Sequence, residues 1–194
     1  MPLHLGVRGA SVRAATLSGF GYGAAVAGAT FSWALEVDAV RGHHLVLLAA
    51  YLALYSAALA AAWSRLADRT EAVFLVPVVA VALDWIRGHA GFAAVPWLTL
   101  GESQHGNRCL LQLVSVGGEP LVGLVVVAAN VAIGRLVTNG GPGRWRQRWR
   151  SSRLELATLA VAGLAHAAGA SLLQSEAGGA TLRVAVVQPN FDPR

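Results

Sequence analysis

The chain has 194 residues, 55% of them hydrophobic and only 13% charged, with a mean hydropathy of +0.54. Too few polar side chains are present to coat a soluble globule of this size, so the bilayer is the expected solvent. All 15 basic residues are Arg, and the single cysteine, Cys109, excludes an intramolecular disulfide and a thiolate metal cluster.

In chain order, five apolar stretches read as spanning helices. Ala14 to Leu35 and Leu45 to Ser64 are free of charge and about 20 residues long, enough to cross the hydrocarbon core. The first lacks the charged start, short apolar core and small-residue cleavage site of a signal peptide, so it is expected to be retained. Ala72 to Ile86 is shorter; it carries Asp84, with Arg87 three residues on, a spacing that allows a helical ion pair at the interface. Pro120 to Val137 is interrupted only by Asn130 and Arg135, and Leu156 to Ser175 only by His166. The reading is an all-α polytopic membrane domain over residues 1–177. Residues 178–194 follow as a separate unit, because Thr181 to Asn190 (TLRVAVVQPN) has the pattern of a strand apolar on both faces. A lone strand is not stable, so it is expected to open an α/β domain that continues past this chain.

Charge predicts orientation. Arg8 and Arg13 precede the first stretch, Arg65 and Arg69 follow the second, and Arg135, Arg144, Arg146, Arg148, Arg150 and Arg153 surround the fourth connection. These connections are expected to be cytoplasmic, while the alternate ones are diluted by Glu36, Asp38, Glu102 and Glu119. The N-terminus is then cytoplasmic, and five crossings deliver Thr181 to the outer face. Arginines confined mainly to short connections between apolar stretches suit topology and anionic-lipid contact, which argues against a nucleic-acid partner despite a pI near 10.6.

Most polar or small residues within the spans read as packing. Gly19, Gly23 and Ala27 recur at four-residue spacing, which lets helices approach closely. Tyr51 and Tyr55 share a helical face, read as interior packing rather than a lipid path. Asn130 and His166 are expected to bond across helices. His43 and His44 are adjacent in a loop and are not read as a metal site; no metal and no cofactor are expected.

The connection from Gly91 to Gly118 is too long for a turn and too apolar for an ordinary loop. Pro96 opposes a helical start, Trp97 suits the headgroup level, and Glu102, Gln104, His105 and Arg108 supply polar groups. It is expected to lie in the outer interface, with Pro96, Trp97, Gln104 and Arg108 as candidate substrate-binding or interfacial residues.

The run PWLTLGESQ (Pro96 to Gln104), followed by LLQLVSVGGEPLVGLVVVAAN (Leu110 to Asn130) and TLRVAVVQPN, resembles the bacterial apolipoprotein N-acyltransferases. LAAYLALYSAALAAAWSRL (Leu48 to Leu66) and LDWIRGHAGF (Leu83 to Phe92) resemble that family in order and spacing. The resemblance implies a multi-pass enzyme of the bacterial plasma (inner) membrane, which moves an acyl chain from a phospholipid donor to the amino group of a diacylglyceryl-lipoprotein acceptor. It also implies a nitrilase-like catalytic domain with a Glu, Lys and Cys constellation, in which a thioester intermediate divides the transfer into two steps.

The sequence has no Lys, so no catalytic residue is assigned within it, and Cys109 reads as a small buried hydrophobe despite Arg108 beside it. This portion is expected to be inactive alone. Two other classes share the same membrane block: a non-catalytic anchor for a polyprenol-phosphate mannose synthase partner, and a small transporter. The transporter would need intramembrane charge, which is nearly absent here.

Overall fold

A computed structural model describes residues 9–138, 152–174 and 184–185, and six α-helices lie within them. They are α1 (Val12–Thr30), α2 (Gly42–Leu66), α3 (Ala72–Gly88), the single turn α4 (Arg108–Leu111), α5 (Val114–Thr138) and α6 (Arg153–Gln174). The five long ones fall on the five apolar stretches, and three of them, α2, α5 and α6, are long and apolar enough to cross a membrane. With α1 at 19 residues and α3 at 17, a rise of about 1.5 Å per residue gives roughly 28 and 25 Å, against a hydrocarbon core of about 30 Å. Of the stretch expected to form a strand, only Val184 and Ala185 are among the described residues, and they carry no strand pairing. The Arg-rich segment 144–150 lies outside the described residues.

The helices pack side by side, α1 on α2, α2 on α3, α3 on α5 and α5 on α6. Helix α1 starts where the Ser11 hydroxyl accepts from the Ala14 amide at 3.2 Å, a cap for one of its orphan donors. Its small-residue stripe faces α2: a Cβ on Gly19 would meet Ala60 Cβ at 2.5 Å and the Ser56 carbonyl at 2.7 Å, and one on Gly23 would meet Ser56 Cβ at 2.7 Å. The stripe is therefore a packing seam, as its spacing predicts. The core runs through the row: Ala15 of α1 and Ala60 and Trp63 of α2 meet Val73 and Val76 of α3 and Val127 and Val131 of α5. A smaller cluster of Ala27, Phe31, Ala49 and Leu52 closes the other end of the α1–α2 pair.

Several expectations need adjustment. The first apolar stretch is not one helix to Leu35: α1 ends at Thr30, and Ser32–Glu36 forms a 3-10 turn. Asn130 does not reach across helices, because its Nδ2 donates at 2.8 Å to the Val126 carbonyl of its own helix. Arg135, read only as a topology signal, is buried. Its Nε pairs with Glu155 Oε1 at 2.6 Å, and its Nη1 donates to the Ala67 and Arg69 carbonyls at 3.1 and 2.9 Å. That cluster ties the α2–α3 turn, the end of α5 and the start of α6 into one end of the bundle. The α2–α3 turn and the start of α6 thus meet at the end of the bundle opposite the Gly91–Gly118 segment.

Candidate functional site

At the opposite end, the segment after α3 folds back on that helix. Gly91–Ala93 forms a 3-10 turn, with Gly91 at φ 61, and the Tyr51 hydroxyl donates to the Ala93 carbonyl at 2.8 Å while pairing with the Tyr55 hydroxyl at 2.8 Å. The shared face of the two tyrosines therefore holds the start of the loop. The Val95 amide then donates to the Arg87 carbonyl at 3.0 Å.

Asp84 and Arg87 form the expected i,i+3 ion pair, and they do more than pair. Arg87 Nη1 donates to the Trp97 carbonyl at 2.7 Å and Nη2 to the Leu98 carbonyl at 3.1 Å, while Asp84 Oδ2 accepts from the Leu100 amide at 3.0 Å. Three backbone groups of an irregular segment are thus satisfied by two side chains of α3. Between them Leu98 sits at φ 59, a left-handed conformation that costs an L-residue about 1–2 kcal/mol. It is the only described residue other than glycine with positive φ.

The segment continues through a reciprocal turn. The Thr99 amide donates to Glu102 Oε2 at 3.1 Å, and the Glu102 amide donates to Thr99 Oγ1 at 3.2 Å. Asn107 then caps α4, its Oδ1 accepting from the Leu110 amide at 3.2 Å. Helix α4 packs on α6 where Gly169 has no side chain, and a Cβ there would strike the Cys109 carbonyl. Cys109 is half-buried in this contact.

Two cavities flank the segment. One, of ≈ 350 Å³, lies between α3 and the start of α5 and is lined by Asp84, Trp85, His89, Pro96, Thr99 and Glu119, among others. Trp85 and His89 stack at its rim, with ring centroids 4.3 Å apart. Glu119 presses against Gly101, where a Cβ would collide with its Cγ, and its buried Oε1 has no hydrogen-bond partner among the described residues. The other cavity, of ≈ 260 Å³, lies among α1, α2 and α3, with Tyr22, Tyr55, Ser56, Arg87, Leu98 and Leu100 in its wall.

The four residues singled out from sequence are placed as follows. Pro96 lines the larger cavity. Trp97 is 59% exposed, its ring centroid 6.4 Å from that of Phe31. Gln104 is half-buried and donates from Nε2 to Ser103 Oγ at 3.1 Å. Arg108 opens α4, exposed, and its carbonyl accepts from Gln112 Nε2 at 3.2 Å. Pro96 and Trp97 therefore belong to the clamped segment, whereas Gln104 and Arg108 lie farther along the same connection. Sequence reasoning missed the reach of Asp84 and Arg87 to the loop, the Tyr51 contact and the role of Glu119. Among the described residues no group of three or more His, Cys, Asp and Glu side chains could hold a metal ion; His43 and His44, expected in a loop, lie in the first turn of α2 with their rings tilted by 54° and centroids 4.1 Å apart, and His44 Nδ1 accepts from the Arg41 amide at 3.0 Å.

A family model described as Apolipoprotein N-acyltransferase N-terminal domain matches residues 1–132. Over 151 residues the chain is 28% identical to the Apolipoprotein N-acyltransferase of Geobacter metallireducens, a match that covers 76% of this chain and 28% of that relative. The chain thus spans well under half the length of the curated relative it matches. No solved structure matches it.

Proposed function

The chain belongs to the apolipoprotein N-acyltransferase N-terminal domain family, and from that premise we propose that it is the membrane portion of an enzyme that acylates lipoproteins. The reaction takes an acyl chain from a phospholipid and places it on the amino group of a diacylglyceryl cysteine. The observation that carries this reading is the segment from Pro96 to Leu100, clamped at one end of the bundle with Trp97 exposed beside two cavities. Both reactants are lipid-anchored, so they reach a site sideways through the interface; a fixed irregular segment with an amphipathic ring suits that entrance.

In this reading the five long helices cross the bacterial plasma membrane, the N-terminus is cytoplasmic, and residues 96–108 and Thr181 lie on the outer side. Pro96, Trp97, Gln104 and Arg108 contact lipid substrates or a nitrilase-like catalytic domain. Such a domain supplies the thiolate, the carboxylate base and the cation for the oxyanion. The sequence contains no Lys, and Cys109 is half-buried with its backbone against Gly169. The guanidinium groups present do not reproduce the compact mobile charge of a Lys. These 194 residues are therefore inactive by themselves.

The test is to join the chain to the catalytic domain of a relative and assay phospholipid with a diacylglyceryl peptide. Triacylated product is expected from the joined protein and none from the chain alone. Product made by the chain itself and abolished by Cys109→Ala refutes the assignment, and a joined protein at full membrane level without product favours the anchor for a mannose synthase. In the joined protein, Trp97→Ala is expected to lower product more than membrane level. Proportional loss of both makes Trp97 a folding residue.

A further inference from the structure

The alternation of residues 96–101 between the two cavities has a physical cause in α3. Pro96, Thr99 and Gly101 line the cavity beside α5, whereas Leu98 and Leu100 line the one among α1, α2 and α3. The segment is thus the wall between them. A chain in the left-handed region at Leu98 has no intrinsic preference for that shape, and no glycine relieves it. Something outside the segment must impose the conformation.

We infer that Arg87, braced by Asp84, is a positioning residue that holds residues 96–101 as the wall separating the two cavities, and that acyl transfer depends on that wall. The functional half of the inference rests on the acyl-transfer reading above. Arg87 is 7% exposed and points its fork at two successive carbonyls, those of Trp97 and Leu98, on either side of the strained residue. Asp84 orients the guanidinium and takes the Leu100 amide, so the chain is gripped before and after its reversal. A planar guanidinium can bridge two carbonyls while paired to a carboxylate; a Lys ammonium is a point charge without that fixed fork. Arg87 also lines the smaller cavity and Asp84 lines both, so release of the grip alters both sides together.

A merely structural ion pair would stabilise α3 without controlling the segment. The two roles separate in the 194-residue chain placed in phospholipid nanodiscs, with Cys109→Ser and a spin label on Ser103→Cys, which is exposed just beyond the wall. The parent is expected to show an immobilised label. Arg87→Met is expected to release it while far-ultraviolet circular dichroism shows the helices intact, and Arg87→Lys to give an intermediate spectrum. Asp84→Asn, which keeps the volume and an acceptor for the Leu100 amide, is the second variant should Arg87→Met not accumulate, and partial release is expected there. A label as immobile in Arg87→Met, or in Asp84→Asn where that variant is used, as in the parent overturns the inference. In the joined enzyme, Arg87→Met is expected to lower kcat/KM about 100-fold, the scale set by an ångström of misplacement, with Arg87→Lys recovering part of it. Unchanged turnover with a released label overturns the functional half. A joined parent enzyme with no turnover refutes the acyl-transfer reading instead, and the label spectra then decide the grip alone.

Discussion

The Arg135–Glu155 pair predicts an asymmetric response to single substitutions. The side chains are 10% and 4% exposed, and their partners are unequal. Remove Glu155, and Arg135 still donates to the Ala67 and Arg69 carbonyls. Remove Arg135, and Glu155 keeps no hydrogen-bond partner among the described residues, since its Oε2 already lacks one there. Arg135→Met should therefore cost about 3–5 kcal/mol, the range for stranding a buried charge. Glu155→Leu should cost nearer 1–3 kcal/mol, because the stranded cation keeps two strong acceptors. The double variant should be more stable than Arg135→Met alone, since a buried pair replaced by apolar groups is often neutral. Reversible unfolding in mixed micelles, followed by tryptophan fluorescence and read as a double-mutant cycle, measures each term. Equal single effects below about 1 kcal/mol, as for a solvated pair, would refute the reasoning.

Three further outcomes are expected. Gly19→Leu should destabilise the α1–α2 seam by about 1–3 kcal/mol through overpacking, whereas Gly21→Ala, whose Cβ meets nothing within 4 Å, should cost nothing in the same unfolding assay and stabilise α1 by up to about 1 kcal/mol. Tyr51→Phe removes the donor to the Ala93 carbonyl and should cost about 1 kcal/mol. Hydrogen exchange should then quicken at residues 91–95 before it does elsewhere. In a Cys109→Ser background, an impermeant thiol reagent on intact cells should label Trp97→Cys and Thr181→Cys but not Gly141→Cys. The reverse pattern would overturn the orientation.

How much of this was legible in the sequence depended on the range of the interaction. Hydropathy located the five long helices because each carries an apolar run that stands out from its connections, and three of them reach the length and hydropathy of a membrane span. It overran at Leu35, because the apolar 3-10 turn at Ser32–Glu36 differs from a helix in backbone angles and not in composition. The Asp84–Arg87 pair was visible as a local spacing, but its grip on the loop was not: the acceptors are backbone carbonyls, which every residue carries. Arg135 pairs with a glutamate 20 positions away, so its sequence neighbours suggested only a topology signal. Asn130 was misjudged because a short amide can bond the carbonyl four residues back and needs no partner helix. Pro96 and Trp97 could be singled out because proline and an interfacial tryptophan each carry a one-residue physical preference, and both lie in the segment that Asp84 and Arg87 hold.

The start of α5 bears on how the protein is put into the membrane. The 25 residues of Val114–Thr138 would make a rod of about 38 Å, longer than the hydrocarbon core. Gly117 at φ −136 and Gly118 at φ 66, ψ −175 break it, and Pro120 follows. Glu119 to Thr138, about 20 residues and roughly 30 Å, is then the part of a length that matches the core. The break thereby divides α5 into a short first piece and a longer one of near-core length, so a span that begins after it has no excess length to absorb by tilting.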